Sequence, residues 1–454
     1  MVEVRTESDI YTARFRELEK SWSEGWLLDL RRAAIERYER LGFPTTRHEE
    51  WRYTNLAPLR KAAFRAPPRA GPGAARDLLD RAMEGGEKTP GGVAARLVFV
   101  DGRFQEALSS RDELPRGVEA GSIAGAIERH EDLVREHLSR HLEYYEDHHP
   151  FVALNTALFE DGAFIRVAEG ASLEAPIHLV FLTSAEGPPP SAHPRILAVL
   201  EDGARATIIE DYFAPAERSA FTNPVTELAL GRRASLDHYR FLREGEGVFH
   251  ISALGAVQGP GSELTSQALC FGGSLVRNDV HASLDGDHSA CTLNGLVVGH
   301  GTQHIDNHTR IVHARPASKS WEMYKTILRD KATGVFNGKI HVDRIAQKTD
   351  AKQTNRTLLL SDDAVMNTKP ELEIYADDVK CTHGATIGQL DSESLFYLRA
   401  RGIDLETARS MLTYAFSREV VDQIRHEPLR AFVERLLLEK LPGDDVPAGK
   451  GSWR

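Results

Sequence analysis

The sequence predicts a mainly β protein, a long solenoid of stacked β coils set between two helical ends. Three observations predict it. Residues 158–389 consist of short runs of β-branched and apolar residues separated by turns, with almost no helical period. Within that stretch a short phrase recurs about every 30 residues, as Glu169-Gly170-Ala171-Ser172-Leu173, Asp202-Gly203-Ala204-Arg205-Ala206, Gly231-Arg232-Arg233-Ala234-Ser235-Leu236 and Gly261-Ser262-Glu263-Leu264. A stacked coil needs such a corner, where Gly permits the sharp bend and a small residue fits inside it. Apolar stripes at helical spacing concentrate before and after this stretch. The chain therefore divides into a mostly helical region (1–157), a solenoid core (158–389) and a helical tail (390–454). An ordinary β-sandwich or barrel also fits the strand texture.

The elements follow in chain order. Leu27, Leu30, Ala34, Tyr38 and Leu41 form a helical stripe, which Gly42 and Pro44 end. Residues 65–92, rich in Pro, Ala and Gly, read as a loop. Leu97-Val98-Phe99-Val100 before Asp101-Gly102 reads as a strand and turn. Ile123, Ile127, Val134, Leu138 and Leu142 mark a second helical region, closed by Pro150. Strands such as Ile177 to Leu182 and Ile196 to Leu200 follow. In the tail, Asp391 or Ser392 caps one helix, Asp404 a second, and Pro428 opens a third. Such helices can cover the open end of a solenoid or serve as a docking platform.

The 454 residues carry a net charge of −11 and no long basic run, which argues against nucleic acid and anionic membranes as partners. No apolar signal core opens the chain and no apolar run could span a bilayer, so a cytoplasmic protein is expected. Three scattered cysteines, Cys270, Cys291 and Cys381, with no CxxC pair, argue against a disulfide framework and a structural zinc site. Clusters usually take four ligands, so a cluster handled here would draw ligands from another chain.

Among the motifs, Cys381 and His383 stand two residues apart in an extended segment, on one face and roughly 7 Å apart. A thiolate beside an imidazole suits a soft metal or an iron–sulfur species. A buried cysteine and a hydrogen-bonded histidine are the plainer reading. His304, Asp306 and His308 share one strand face, which fits histidines bonded to Asp and Asn of neighbouring coils better than a metal site. Thr349 to Arg356 reads as a loop or solenoid corner. Gly334-Val335-Phe336-Asn337-Gly338-Lys339-Ile340 imitates a phosphate loop but lacks one residue and the Ser or Thr, so no nucleotide site is expected.

Asp306-Asn307-His308-Thr309, Val335-Phe336-Asn337-Gly338, Gln353-Thr354-Asn355, the run from Lys369-Pro370-Glu371 to Lys380-Cys381-Thr382-His383-Gly384-Ala385-Thr386, and Phe396 to Gly402 together resemble the SufB/SufD family of SUF iron–sulfur cluster assembly scaffolds. The phrases Glu50-Trp51-Arg52-Tyr53-Thr54 and Lys380-Cys381-Thr382-His383-Gly384 resemble its SufD branch. The resemblance implies a right-handed parallel β-helix and a non-catalytic scaffold, paired with SufB and with the SufC ATPase. It implies a transient iron–sulfur cluster shared with SufB, with His383 as a ligand and Cys381 at the family's cysteine position. It also implies that the helical tail docks SufC, where Leu395, Phe396, Leu398 and Met411 offer apolar anchors. A homodimer of the isolated chain, a homodimeric metal-binding protein and a carbohydrate-active β-helix enzyme are the alternatives. Such enzymes are commonly secreted and carry charged catalytic clusters along one face.

Overall fold

The computed structural model describes residues 8–62, 64–67, 71–83, 92–111, 114–184 and 187–441. The start of the chain, where no signal core was read, lies outside them, as does part of the loop expected at 65–92. Two long sheets face each other across a common lumen, one of ten strands and one of eleven. From Gly247–Gln258 onward, successive strands alternate between the sheets and pair in parallel with the strand two places earlier, as Ala290–Gly299 does with Glu263–Cys270. This is a parallel β-solenoid. At the N-terminal end Ala95–Val100 joins it in parallel with Ile177–Leu182 and pairs antiparallel with Arg103–Phe104, and Val118–Ser122 pairs antiparallel with Gly162–Val167.

The corner phrase has the structural role expected of it. Gly170, Gly203 and Gly261 have φ of 67°, 69° and 66°, and Arg233, His288, Ala317 and Lys348 adopt the same left-handed conformation in the equivalent places. The next residue is small and buried in nearly every coil: Ala204, Ala234, Ser262, Ser289, Ser318 and Thr349. Each corner N–H donates to the corner of the next coil, for example Gly261 to the Asp287 carbonyl at 2.8 Å. A left-handed non-glycine residue costs about 1 kcal/mol. The ladder of corner hydrogen bonds offsets that cost where Gly is absent.

The lumen is filled by alternate residues of both sheets, including Leu179, Ile208, Leu236, Leu264 and Cys291 from one and Ile165, Ile196, Leu228, Val276 and Ile305 from the other. Strands such as Ile177–Leu182 are buried on both faces because helices cover the outside. Tyr11, Phe15, Tyr38, Trp51, Phe151 and Leu154 pack on the outer face of the eleven-stranded sheet at Phe221, Ile251 and Leu275.

Four expectations change. Pro72–Met83 is a helix within the expected loop, held by Leu78 and Leu79 against Val98 and Val180. Pro150 does not close a helix but occupies the first turn of Pro150–Leu158, where a missing N–H costs nothing. Thr349 to Arg356 is no loop, since Asp350–Leu359 is a strand of the ten-stranded sheet. The tail does not cover the open end. Val420, Val421, Ile424, Leu429, Val433 and Leu437 lie on the outer flank of that sheet, over Tyr239, Phe241, Leu269 and Leu296.

Candidate functional site

The solenoid ends in two strands, Val365–Ile374 in one sheet and Lys380–Gly388 in the other. Among the described residues each pairs along one edge only, with the coil beneath it, and its other edge is free. Register carries the lumen columns into this last layer. Cys381, His383, Ala385 and Ile387 stand over Ala351, Gln353, Asn355 and Thr357. On the facing wall Met366, Thr368, Pro370, Leu372 and Ile374 stand over Gly334, Phe336, Gly338, Ile340 and Val342. Because no further coil follows, apolar groups that would be buried in any earlier layer are open, with Ile387 47% and Ile374 39% exposed.

Cys381 and His383 share this lumen-facing rim, as their spacing requires. Cys381 is half buried beside Leu372 and Val379. Burial pushes its thiol up, opposed by a backbone hydrogen bond at Ala351 and reinforced by the Asp350 charge. His383 is exposed. Cys270 and Cys291 are fully buried in the lumen core, as packing residues are. Burial pushes Cys270 up to about 12 and Cys291 further. Only Cys381 is placed to present a thiol at the surface.

Beneath the rim lies a polar column that sequence reasoning missed. Gln353 Nε2 donates to Glu322 Oε2 at 2.7 Å. Glu322 is 2% exposed, and burial raises it to about 7. Asn355 Nδ2 donates to Thr368 Oγ1 at 3.2 Å, which ties the two walls together just under the rim. The alternation in Asp350–Leu359, with Ala351, Gln353, Asn355 and Thr357 buried between exposed Lys352 and Arg356, was the available signal. Polar residues on the inward face concealed it. Deeper in the lumen Glu210 binds His238 at 2.9 Å and Arg240 at 3.0 Å. Burial alone would raise Glu210, but these two partners outweigh it and hold the carboxyl below its usual range.

The histidine-rich stretch is structural. His304, Asp306 and His308 share the outer face of strand His304–His313, where the N-terminal helices pack. His308 Nε2 meets Asp306 at 3.0 Å, Thr54 Oγ1 lies 2.9 Å from His304, and Arg277 of the preceding coil meets Asp306 at 3.1 Å. Burial and Arg277 disfavour charge on His308, yet Asp306 and Glu50 raise it to about 9. Among the described residues no three His, Cys, Asp or Glu side chains are grouped to hold a metal ion.

Next to the rim, helix Ser392–Arg399 begins at Asp391, whose side chain accepts the Ser394 N–H. It buries none of its residues. Phe396 is 75% exposed, while Leu395, Leu398 and Met411 are half buried. The following helix is pinned to the sheet by Lys325, whose Nζ reaches the Phe416 carbonyl and Glu419 at 2.6 Å. Among the described residues no helix is long and apolar enough to cross a membrane.

Comparison with known proteins bears on this architecture. Residues 181–416 match the family described as SUF system FeS cluster assembly, SufBD core domain, and residues 5–71 and 89–179 match the SufBD protein N-terminal region. The chain is 35% identical to an iron–sulfur cluster assembly SufBD family protein of Synechocystis, over 90% of this chain and 89% of that protein. It is 32% identical to the iron–sulfur cluster assembly protein SufD of Escherichia coli, over 90% and 92%. Identity to SufD of Bacillus subtilis is 29%, over 91% and 93%.

Proposed function

The chain belongs to the SufBD family of the SUF system, in its SufD branch, and has a role in iron–sulfur cluster assembly; from that premise we propose that it is a non-catalytic scaffold subunit that shares a nascent cluster with SufB. The observation that carries the reading is the uncovered last layer, with Cys381 and His383 on its rim beside exposed Ile374 and Ile387. A second β-helix stacked there would bury the apolar wall and the free strand edges. It would also bring its own ligands. One imidazole and one thiol are fewer than the four ligands clusters usually take, which suits a carrier that must release its cargo. The cluster is thus a substrate, transient and shared, and His383 is the ligand this chain supplies, with Cys381 beside it. Leu395, Phe396, Leu398 and Met411 form the dock for the SufC ATPase, which provides the nucleotide chemistry in the cytoplasm. The bounds 1–157, 158–389 and 390–454 then separate a bracing region, the scaffold and the dock.

The test is co-expression with SufB and SufC, anaerobic purification, and iron and sulfide analysis. His383→Ala should lower cluster content more than Cys270→Ala or Cys291→Ala, with Cys381→Ala intermediate. Full loading of an intact His383→Ala complex would return His383 to a structural role.

A further inference from the structure

We propose that Gln353 is a positioning residue for His383: when the exposed His383 ring turns in toward the lumen, the Gln353 side-chain carbonyl oxygen accepts the proton of one imidazole nitrogen, which leaves the lone pair of the other directed outward at the rim. The proposal rests on the reading of His383 as a cluster ligand.

Gln353 and His383 are register partners in adjacent parallel strands, so they share the lumen face one layer apart. Gln353 is 1% exposed. Its amide N–H donates to Glu322 Oε2 in the layer below, the orientation that an ionised Glu322, able only to accept, requires. The carbonyl oxygen at the other end is buried and has no hydrogen-bond partner among the described residues. A buried acceptor left unmatched costs stability, so its place asks for a donor. Room for the amide is built into the opposite wall. A Cβ at Gly338 would lie 2.4 Å from Gln353 Nε2 and 2.8 Å from its Cδ. Of the side chains stacked above this strand, Cys381, His383, Ala385 and Ile387, only His383 has a ring N–H.

The chemistry is directional. A neutral imidazole carries one proton and one lone pair, and a metal needs the lone pair. Metal-binding histidines therefore donate their other N–H to an acceptor that fixes tautomer and ring plane. An amide oxygen can accept that proton and has none to give. The buried column thus selects one tautomer of an exposed ring before any cluster arrives.

The test uses the metal-free full chain labelled with ¹⁵N-histidine, with His383 assigned by the signals lost in His383→Ala. Imidazole nitrogen shifts should show one tautomer for His383. Gln353→Met, which keeps the volume and loses the acceptor, should give the mixture of tautomers of a solvent-exposed ring, with exposed His288 as the internal comparison. Gln353→Glu keeps an acceptor and should restore the single tautomer, so a folding defect in the Met variant cannot imitate the result. A mixture already present in the unmodified chain, or no change in Gln353→Met, overturns the proposal. In the complex with SufB and SufC, Gln353→Met should weaken retention of iron against a chelator by on the order of tenfold. Unchanged retention would overturn the positioning role. Full loading by His383→Ala would defeat the ligand assignment itself, while the tautomer of the metal-free chain still decides whether Gln353 holds the ring.

Discussion

Replacing Glu322 by Gln should make the protein more stable, and increasingly so as pH rises. Glu322 is buried at 2% exposure, and burial raises its pKa from the ordinary 4.5 to about 7. Side-chain hydrogen bonds from Thr309 and from Gln353, the latter at 2.7 Å, favour the ionised form, but burial outweighs both. The sign follows from linkage. A carboxyl whose folded pKa lies above its unfolded one leaves stability intact below about 4.5 and lowers it as pH rises through about 7. At roughly 1.4 kcal/mol per pH unit of separation, the loss approaches about 3 kcal/mol above neutrality. Gln is nearly isosteric, cannot ionise, and can still accept from Gln353. Its stability advantage should therefore grow between pH 4.5 and 7 and level off above that. For a chain this long, about 3 kcal/mol corresponds to a rise of about 3 °C in Tm. The assay is thermal unfolding by circular dichroism from pH 4 to 8.5, for both proteins. Parallel curves across that range would refute the argument and would mean that Glu322 is ionised without penalty in the fold.

Other predictions follow from the same packing. Gly338→Ala should cost about 1–3 kcal/mol, because its methyl would lie 2.4 Å from Gln353 Nε2 and 2.7 Å from the Phe336 ring; chemical denaturation measures it. His308→Asn should destabilise the protein most below pH 6.5, where the charged ring between Asp306 and Glu50 is fully stabilising, with the deficit fading as pH rises through about 9; a pH-independent deficit in the urea midpoint would contradict this. Phe396→Ala should leave Tm nearly unchanged, since the residue is 75% exposed, and should weaken capture of SufC by about tenfold or more in a pull-down.

Much of the fold was legible because its signals are local. The corner phrase is readable, since the left-handed bend and the small buried residue after it are demands on consecutive positions. The caps at Asp391 and Asp404 are equally local, each side chain accepting an N–H three residues on. Cys381 and His383 were found because a strand's period of two puts them on one face. Where one side chain served two readings, local signals misled. Pro150 stops one helix and starts another equally well, and Trp51, which packs on Phe151 of the helix that Pro150 opens, comes from a distant segment.

What the sequence alone determined is the repeating coil, the helical ends and the pair on the rim. Tertiary structure decided the rest. Gln353 and Glu322 are polar residues in a strand of mixed pattern, and composition assigns them to a surface. They are interior because a solenoid buries the inward face of every strand, and each polar group there can bond to the same column of the next coil, 31 residues away. The tail lies on the flank because the apolar stripe of its last helices matches the outer face of the ten-stranded sheet. That choice leaves the last layer open. A stripe on a helix tells that it will be buried, but not against which surface, because the partner is assembled only when distant strands stack.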